Sequence, residues 1–233
     1  IIDLVKPITK YATMITDKNS IKYHLQKAVY EAKNGRPGPV WLDIPLDIQG
    51  ALVDENNLFE FEPEVKDSFD NCIEKVLELL KESKRPVIIA GNGITLSDAN
   101  EDFLNLIDKL NIPVISTFAR YDIVRNDHKL FFGRFGTIGN RMANFTVQNS
   151  DLIIAIGARL NIRAISYNWE FFGREAKKIM VDIDLAELNK HTLSIDLKIQ
   201  SDAKNFIQEL FKKIDKIDNK QYVEWLDKCI SYK

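Results

Sequence analysis

Residues Ser150 to Arg163 read SDLIIAIGARLNIR: a polar opening, an uncharged run from Leu152 to Gly157, and then a Gly-Ala-Arg turn. A short apolar run bounded this way is how a strand buried on both faces of a parallel sheet reads, because crossover helices cover both of its sides. In open parallel sheets ligands bind outside the carboxyl ends of the strands. Gly157, Ala158 and Arg159 are therefore expected on the rim of the crevice that this sheet offers.

Outward from that strand the pattern is regular. A helix over about 70–83 precedes a strand Pro86 to Ala90 and the turn Gly91-Asn92-Gly93; a helix over about 97–110 precedes Pro113 to Phe118; Leu130 to Phe135 is a third strand. Gly139 to Gln148 reads as a helix leading into the opening strand. Beyond it, Lys178 to Asp184, KIMVDID, reads as a fifth strand ending in two carboxylates, and Leu197 to Gln200 as a sixth, before a helix from about Ala203 to Lys213. Strands alternating with helices predict an α/β fold, here a doubly wound, six-stranded parallel sheet of Rossmann type over 70–215. Residues 216–233 read as an amphipathic helix leading onward.

Before this region the signals differ. Residues 8–16 carry β-branched and aromatic residues, Ile21 to Lys33 has apolar positions at helical spacing with Asn34-Gly35 as its stop, and Val40 to Ile44 is a short strand. One β-α-β unit leaves sheet edges and faces uncovered, so 1–50 is expected to be the remnant of another α/β domain. The acidic, aperiodic stretch 51–69 reads as a linker. The chain begins at Ile1 in mid-pattern and reads as a piece of a longer polypeptide.

Composition narrows the function classes. The chain has 233 residues, 45% hydrophobic and 28% charged, with a formal net charge of -2, which fits a soluble globular protein and not a nucleic-acid binder driven by charge. No apolar stretch reaches the roughly 18 residues of a membrane span. The two cysteines, Cys72 and Cys229, lack disulfide or zinc spacing, which points to structural thiols in a reducing, cytoplasmic setting. His24, His128 and His191 have no metal-like spacing either.

The run GRPGPVWLDIPLDIQGA at 35–51 resembles the end of the pyrimidine-binding domain in large subunits of acetolactate synthase and related thiamine-diphosphate-dependent enzymes. VKPITKYA at 5–12, FFGRFGTIGNRMANFTVQNSDLIIAIGARL at 131–160 and KKIMVDIDLAELNK at 177–190 are similar to further pieces of that family, in the same order. The resemblance implies that 1–50 is the end of the pyrimidine domain, 70–215 a central domain, and 216–233 the way to a pyrophosphate-binding domain. It implies an enzyme that decarboxylates pyruvate and transfers the two-carbon unit to a carbonyl acceptor, as a homo-oligomer, with thiamine diphosphate and magnesium bound outside this chain. On that view the piece itself is structural and inactive alone, with no nucleic acid or membrane partner.

Central domains of this family also carry FAD across the strand ends. Carried over by position, the implied contacts are Arg36, Gly91, Asn92, Gly93, Thr117, Phe118, Gly136, Gly157, Ala158, Arg159, Arg163, Asp182, Asp184 and Asp202. The chemistry is sensible: glycines let backbone approach a diphosphate, arginine pairs with it, and a carboxylate after a late strand accepts from ribose hydroxyls. Departures from the flavin pattern are the middle Asn92 in the glycine turn, Thr137-Ile138 in place of a methionine-histidine pair, Asn161-Ile162 in place of aspartates, and Leu46 in place of a lysine. They leave open a true acetolactate synthase or a divergent homologue acting on another acceptor.

Plainer readings stand beside these. Gly91-Asn92-Gly93 also reads as a simple strand-to-helix turn, Asp182 and Asp184 as caps of a following helix, and Arg159 as the partner of a carboxylate at an interface. A stand-alone dinucleotide-binding regulatory module is the alternative function. A sirtuin-like deacylase is disfavoured by the lack of a four-cysteine zinc pattern.

Overall fold

The computed structural model describes residues 1–63 and 72–232. The chain divides into two compact units, Ile1–Ser68 and Phe69–Lys233.

In the first unit β1 (Tyr11–Met14) and β2 (Val40–Asp43) pair in parallel, Tyr11 opposite Val40 and Met14 opposite Asp43, and α1 (Ile21–Lys33) connects them. The strand expected over 8–16 is shortened because Lys6–Ile8, with a proline, turns as a 3-10 helix. Few apolar side chains are buried in this unit, Ile15 and Ala28 among them. Leu25 and Val29 on α1, Trp41 on β2, and Leu46 and Leu52 beyond it are all exposed. That follows from size, since two strands and a helix cannot cover their own apolar faces.

The second unit is built on six parallel strands: β3 (Pro86–Ala90), β4 (Val114–Ser116), β5 (Phe131–Arg134), β6 (Leu152–Ile156), β7 (Lys177–Asp182) and β8 (Leu197–Gln200), in the order β5-β4-β3-β6-β7-β8. The expected doubly wound sheet is therefore present. Helices α2 (Cys72–Glu82), α3 (Asn100–Leu110) and α5 (Ala203–Lys213) cover one face; α4 (Arg141–Asn149) and α6 (Val223–Ile230) cover the other. Successive strand residues point to opposite faces. Accordingly Ile88, Leu152, Ile154, Ile156, Ile179 and Val181 pack with Leu77, Phe103, Ile107 and Phe206, while Val87, Ile89, Ile153, Ala155 and Met180 pack with Ala143, Val147, Trp225 and Cys229. Every residue of β3 and of β6 is buried, which explains their unbroken apolar runs.

The amino ends of the central pair are locked by one side chain. Asp151 accepts from the backbone N–H groups of Lys84 and Arg85, both at 2.9 Å, and from the Ser83 hydroxyl, while its own N–H donates to Arg85 O at 3.1 Å. At the sheet edge β4 and β5 pair with a bulge, Val114 opposite Phe131 but Ser116 opposite Arg134. Gly133, at φ 97°, absorbs it.

The fifth strand ends at Asp182, because Asp184 already caps the helical turn Leu185–Leu188 by accepting from Ala186 N at 2.9 Å. The C-terminal segment packs on the sheet: Tyr222 is buried with its hydroxyl donating to Leu80 O at 2.7 Å, and Trp225 Nε1 donates to Pro86 O at 2.9 Å. Residues 64–69 of the expected linker lie outside the described residues.

Candidate functional site

In the order β5-β4-β3-β6-β7-β8 the connections run one way from β3 and the other way from β6, so the carboxyl ends of these two strands flank the topological switch point. The rim is laced by backbone bonds: Thr117 N donates to Ala90 O at 3.1 Å, Gly91 N to Ile156 O at 3.0 Å, Gly157 N to Val181 O at 2.9 Å, and Ser201 N to Asp182 O at 3.1 Å.

Gly91, Gly93, Gly157 and Ala158 meet at this point. A Cβ on Gly91 would lie 2.1 Å from Gly157 O, and one on Gly93 2.6 Å from Gly157 Cα. Gly93 N donates to Gly157 O at 3.0 Å, and Gly157 sits at φ 57°. The glycines are thus required by backbone-to-backbone approach, and the N–H groups of Gly91, Gly93 and Gly157 are taken up inside the sheet. Gly93 opens the helical turn Gly93–Leu96, so the plain strand-to-helix turn describes this segment.

Arg159 follows directly. Its Nε donates to Glu187 Oε1 at 2.7 Å, and more than half of its side chain is exposed while that of Glu187 is 5% exposed. Lys190 pairs with the other carboxylate oxygen of Glu187 and donates to Arg159 O at 2.9 Å. The carboxylate that Arg159 meets therefore lies within its own unit. The next residue, buried Leu160, has φ 47°, a left-handed conformation uncommon for a bulky side chain.

Arg163 is exposed in the turn Ile162–Ile165, which Asn161 caps by accepting from Arg163 N at 3.1 Å. Arg163 O receives both the N–H of Thr137 at 2.9 Å and its hydroxyl at 2.8 Å. Gly136, at φ 103°, leaves room for Arg163 O, and Asn144 holds it by accepting from Gly136 N at 2.8 Å and donating to Gly136 O at 3.2 Å. The loops after β5 and β6 are thereby one assembly. Behind them is a cavity of about 230 Å³ lined by Gly136, Asn144, Gln148, Ser166 and Phe172 among others.

After β4, Thr117 opens a 3-10 turn and Phe118 is exposed at the surface, with the Arg134 guanidinium 5.9 Å from its ring centre. Arg120 donates to Thr95 Oγ1 at 2.7 Å. Ser116 Oγ and Arg120 Nε are buried at this end of the sheet with no hydrogen-bond partner among the described residues. After β7, Asp182 Oδ1 accepts from Asp184 N at 2.9 Å, and Asp184 and Asp202 each cap a helix, Asp202 by accepting from Lys204 N at 2.8 Å. Of the two aspartates read as caps of the following helix, Asp184 is the cap, and Asp182 holds the N–H of Asp184. Arg36 belongs to the first unit, in the exposed bend between α1 and β2.

The second unit therefore gathers Gly91 to Gly93, Thr117, Phe118, Gly136, Gly157 to Arg159, Arg163, Asp182, Asp184 and Asp202 along the carboxyl ends of its strands. Sequence reasoning missed Glu187, Lys190 and Asn144. Glu187 sits in the short helical turn Leu185–Leu188, and a charged residue ordinarily faces water, so only tertiary contact marks it as buried. Among the described residues there is no cluster of three or more His, Cys, Asp or Glu side chains that could hold a metal ion. No described helix is long and apolar enough to cross a membrane.

Comparison with known proteins gives the frame. The family profile described as thiamine pyrophosphate enzyme, central domain, matches residues 73–210. A probable acetolactate synthase large subunit from Methanococcus aeolicus is 36% identical over 97% of this chain and 38% of its own length. The acetolactate synthase large subunit of Corynebacterium glutamicum is 33% identical over 96% of this chain and 36% of its own. The glyoxylate carboligase of Escherichia coli O157:H7 is 32% identical over 86% of this chain and 34% of its own. The chain thus spans well under half the length of these relatives. Joined to the doubly wound sheet and its rim, the match places this chain in the thiamine-pyrophosphate-dependent enzyme family, of acetolactate synthase type, with 73–210 as its central domain.

Proposed function

We propose that this chain is the scaffold section of a thiamine-diphosphate-dependent carboligase: the end of a pyrimidine domain, 1–50, followed by a central domain that holds a dinucleotide, FAD by preference, across its strand ends. The observation that carries the reading is the switch point, where Gly91 and Gly157 bring two strand ends into contact and the segment that follows β6 carries the exposed Arg159 and Arg163. Two exposed guanidinium groups at one rim suit a diphosphate, which arginine recognises through parallel N–H donors.

The residues present fit such a group. Arg159 and Arg163 would take the diphosphate, Thr117 and Asn92 offer side-chain polar atoms, and Phe118 offers an exposed ring for a planar heterocycle. Buried Ser116 Oγ and Arg120 Nε are polar atoms for which a ligand or its waters would supply partners. Asp182 stands at the end of β7 where a ribose hydroxyl would donate, whereas Asp184 and Asp202 act on it only by fixing the turns that carry them. FAD has no chemical step here. Its role is to fill and stiffen the crevice.

Thiamine diphosphate, with magnesium and bound outside this chain, supplies the decarboxylation and carboligation chemistry of the intact enzyme. This chain contributes alignment and catalyses nothing alone. Pyruvate is the donor and a carbonyl compound the acceptor; kinship to both acetolactate synthases and a glyoxylate carboligase leaves two acceptor classes on the same scaffold. The intact protein is a homo-oligomer of the cytoplasm on this reading, and the rest of the pyrimidine domain covers the exposed Leu25, Val29 and Leu46 of the first unit.

The test is an absorption spectrum of the purified chain followed by titration with FAD and with NAD as control. A flavin band or saturable FAD binding, lost in the double variant Arg159→Ala, Arg163→Ala, is expected. Absence of binding to the folded chain rejects the dinucleotide assignment.

A further inference from the structure

Glu187 is an unusual residue for the surface of a sheet rim. Its carboxylate is almost fully buried, and burying a charge is costly unless it is paired and hydrogen-bonded. It is paired twice. Oε1 accepts from Arg159 Nε at 2.7 Å, and Oε2 meets Lys190 Nζ. Lys190 reaches across as well, donating to Arg159 O at 2.9 Å, so both the side chain and the peptide of Arg159 are tied to the turn Leu185–Leu188 and its flank. The next peptide bears buried Leu160 at φ 47°. A bulky residue persists in that conformation where its surroundings over-determine it.

The direction of the pairing matters. Glu187 takes the guanidinium through Nε, the edge nearest the backbone. Among the described residues the two terminal amino groups of Arg159 carry no hydrogen bond, and the side chain is 56% exposed. A guanidinium gripped at Nε cannot rotate freely, and its far edge faces outward as a rigid two-donor fork. A carboxylate that only neutralised Arg159 would engage that fork itself.

We propose that Glu187, with Lys190, is a positioning pair that fixes Arg159 so that its terminal amino groups are presented to the diphosphate of a nucleotide in the switch-point crevice. This rests on the dinucleotide reading above and adds the residue through which the anion contact is aimed. Lys190 balances the second negative oxygen, so the buried carboxylate holds Arg159 without pulling it out of the crevice.

The experiment is a double-mutant cycle on the full chain, read by titration with FAD, with ADP, which has the diphosphate without the flavin, and with adenosine, which has neither. Arg159→Ala and Glu187→Gln should each weaken FAD and ADP binding about tenfold or more, as losing a charge-assisted contact does. The double variant should bind no more weakly than Arg159→Ala alone, and adenosine binding should not move. Glu187→Asp keeps the charge facing Lys190 but shortens the reach, so it should weaken diphosphate binding while melting as the parent does; it serves if Glu187→Gln does not fold. Losses that multiply in the double variant, an equal loss for adenosine, or unchanged ADP affinity in folded Glu187→Asp would overturn the positioning role alone. If the parent chain binds neither FAD nor ADP, the dinucleotide reading falls and this inference with it.

Discussion

At the scale of single residues, Gly157 and Cys229 give opposed cases. Gly157 has a left-handed backbone, and a Cβ there would lie 2.6 Å from Gly93 Cα. Gly157→Ala must therefore adopt a disfavoured conformation and also push two strand ends apart. Left-handed backbone alone costs roughly 1–2 kcal/mol and overpacking typically another 1–3. A loss of about 3 kcal/mol in urea unfolding is expected; a midpoint within error of the parent would show that the strand ends can separate freely. Cys229 is fully buried on the inner side of α6, and burial pushes its thiol up to about 12. The thiolate is the reactive form. Alkylation at pH 8 should modify partly exposed Cys72 and spare Cys229 in the folded chain, with both labelled after unfolding, as read by mass spectrometry.

At the scale of elements, the helices carry their own instructions. Asn140 caps α4 by accepting from Ala143 N at 3.0 Å, and Asp202 caps α5. Asp202→Ala should lower stability by about 1 kcal/mol, the usual worth of such a cap, measured as a shift in denaturation midpoint with unchanged slope. A loss of nucleotide affinity larger than this stability loss would assign Asp202 a ligand contact as well. Helices α2 and α5 are also joined at the surface, where Glu74 meets Lys213 at 3.0 Å and Lys216 at 3.3 Å. The hydrogen bonds from Lys213 and Lys216 hold the Glu74 carboxyl below its ordinary range. Its folded value lies under its unfolded one, so whatever this link adds is present at neutral pH and fades as the solution is acidified through the glutamate range.

At the scale of the whole molecule, a ligand that binds only the folded crevice must stabilise it. At about 100 times its dissociation constant, FAD would add about 2.7 kcal/mol. Each kcal/mol moves the melting temperature by about 2–4 °C in a domain of 150–250 residues, so a rise of about 5–10 °C is expected on thermal denaturation, and a smaller one with NAD at the same concentration. The gain should belong to the transition of the second unit. The first, with Ile15 and Ala28 in its interior and a row of exposed apolar side chains, has little cooperative unfolding of its own to report.

Periodicity in the sequence determines the fold of the second unit. The buried runs of β3 and β6 and the three-and-four spacing of α2, α3 and α5 are local patterns, and alternation of the two forces a parallel sheet because crossovers must be covered on both faces. The rim was legible for the same reason, as the residues that follow each run. What each rim residue does was decided only by tertiary structure. Strand order set Gly91 against Gly157, so glycines that read equally as a ligand cradle or a turn are required by backbone contact. Packing of the turn after β7 against β6 buried Glu187 and handed it Arg159, a contact between residues 28 positions apart that no local pattern encodes. Periodicity is a property of neighbours in the chain, whereas the burial of a charge depends on which distant segment closes over it.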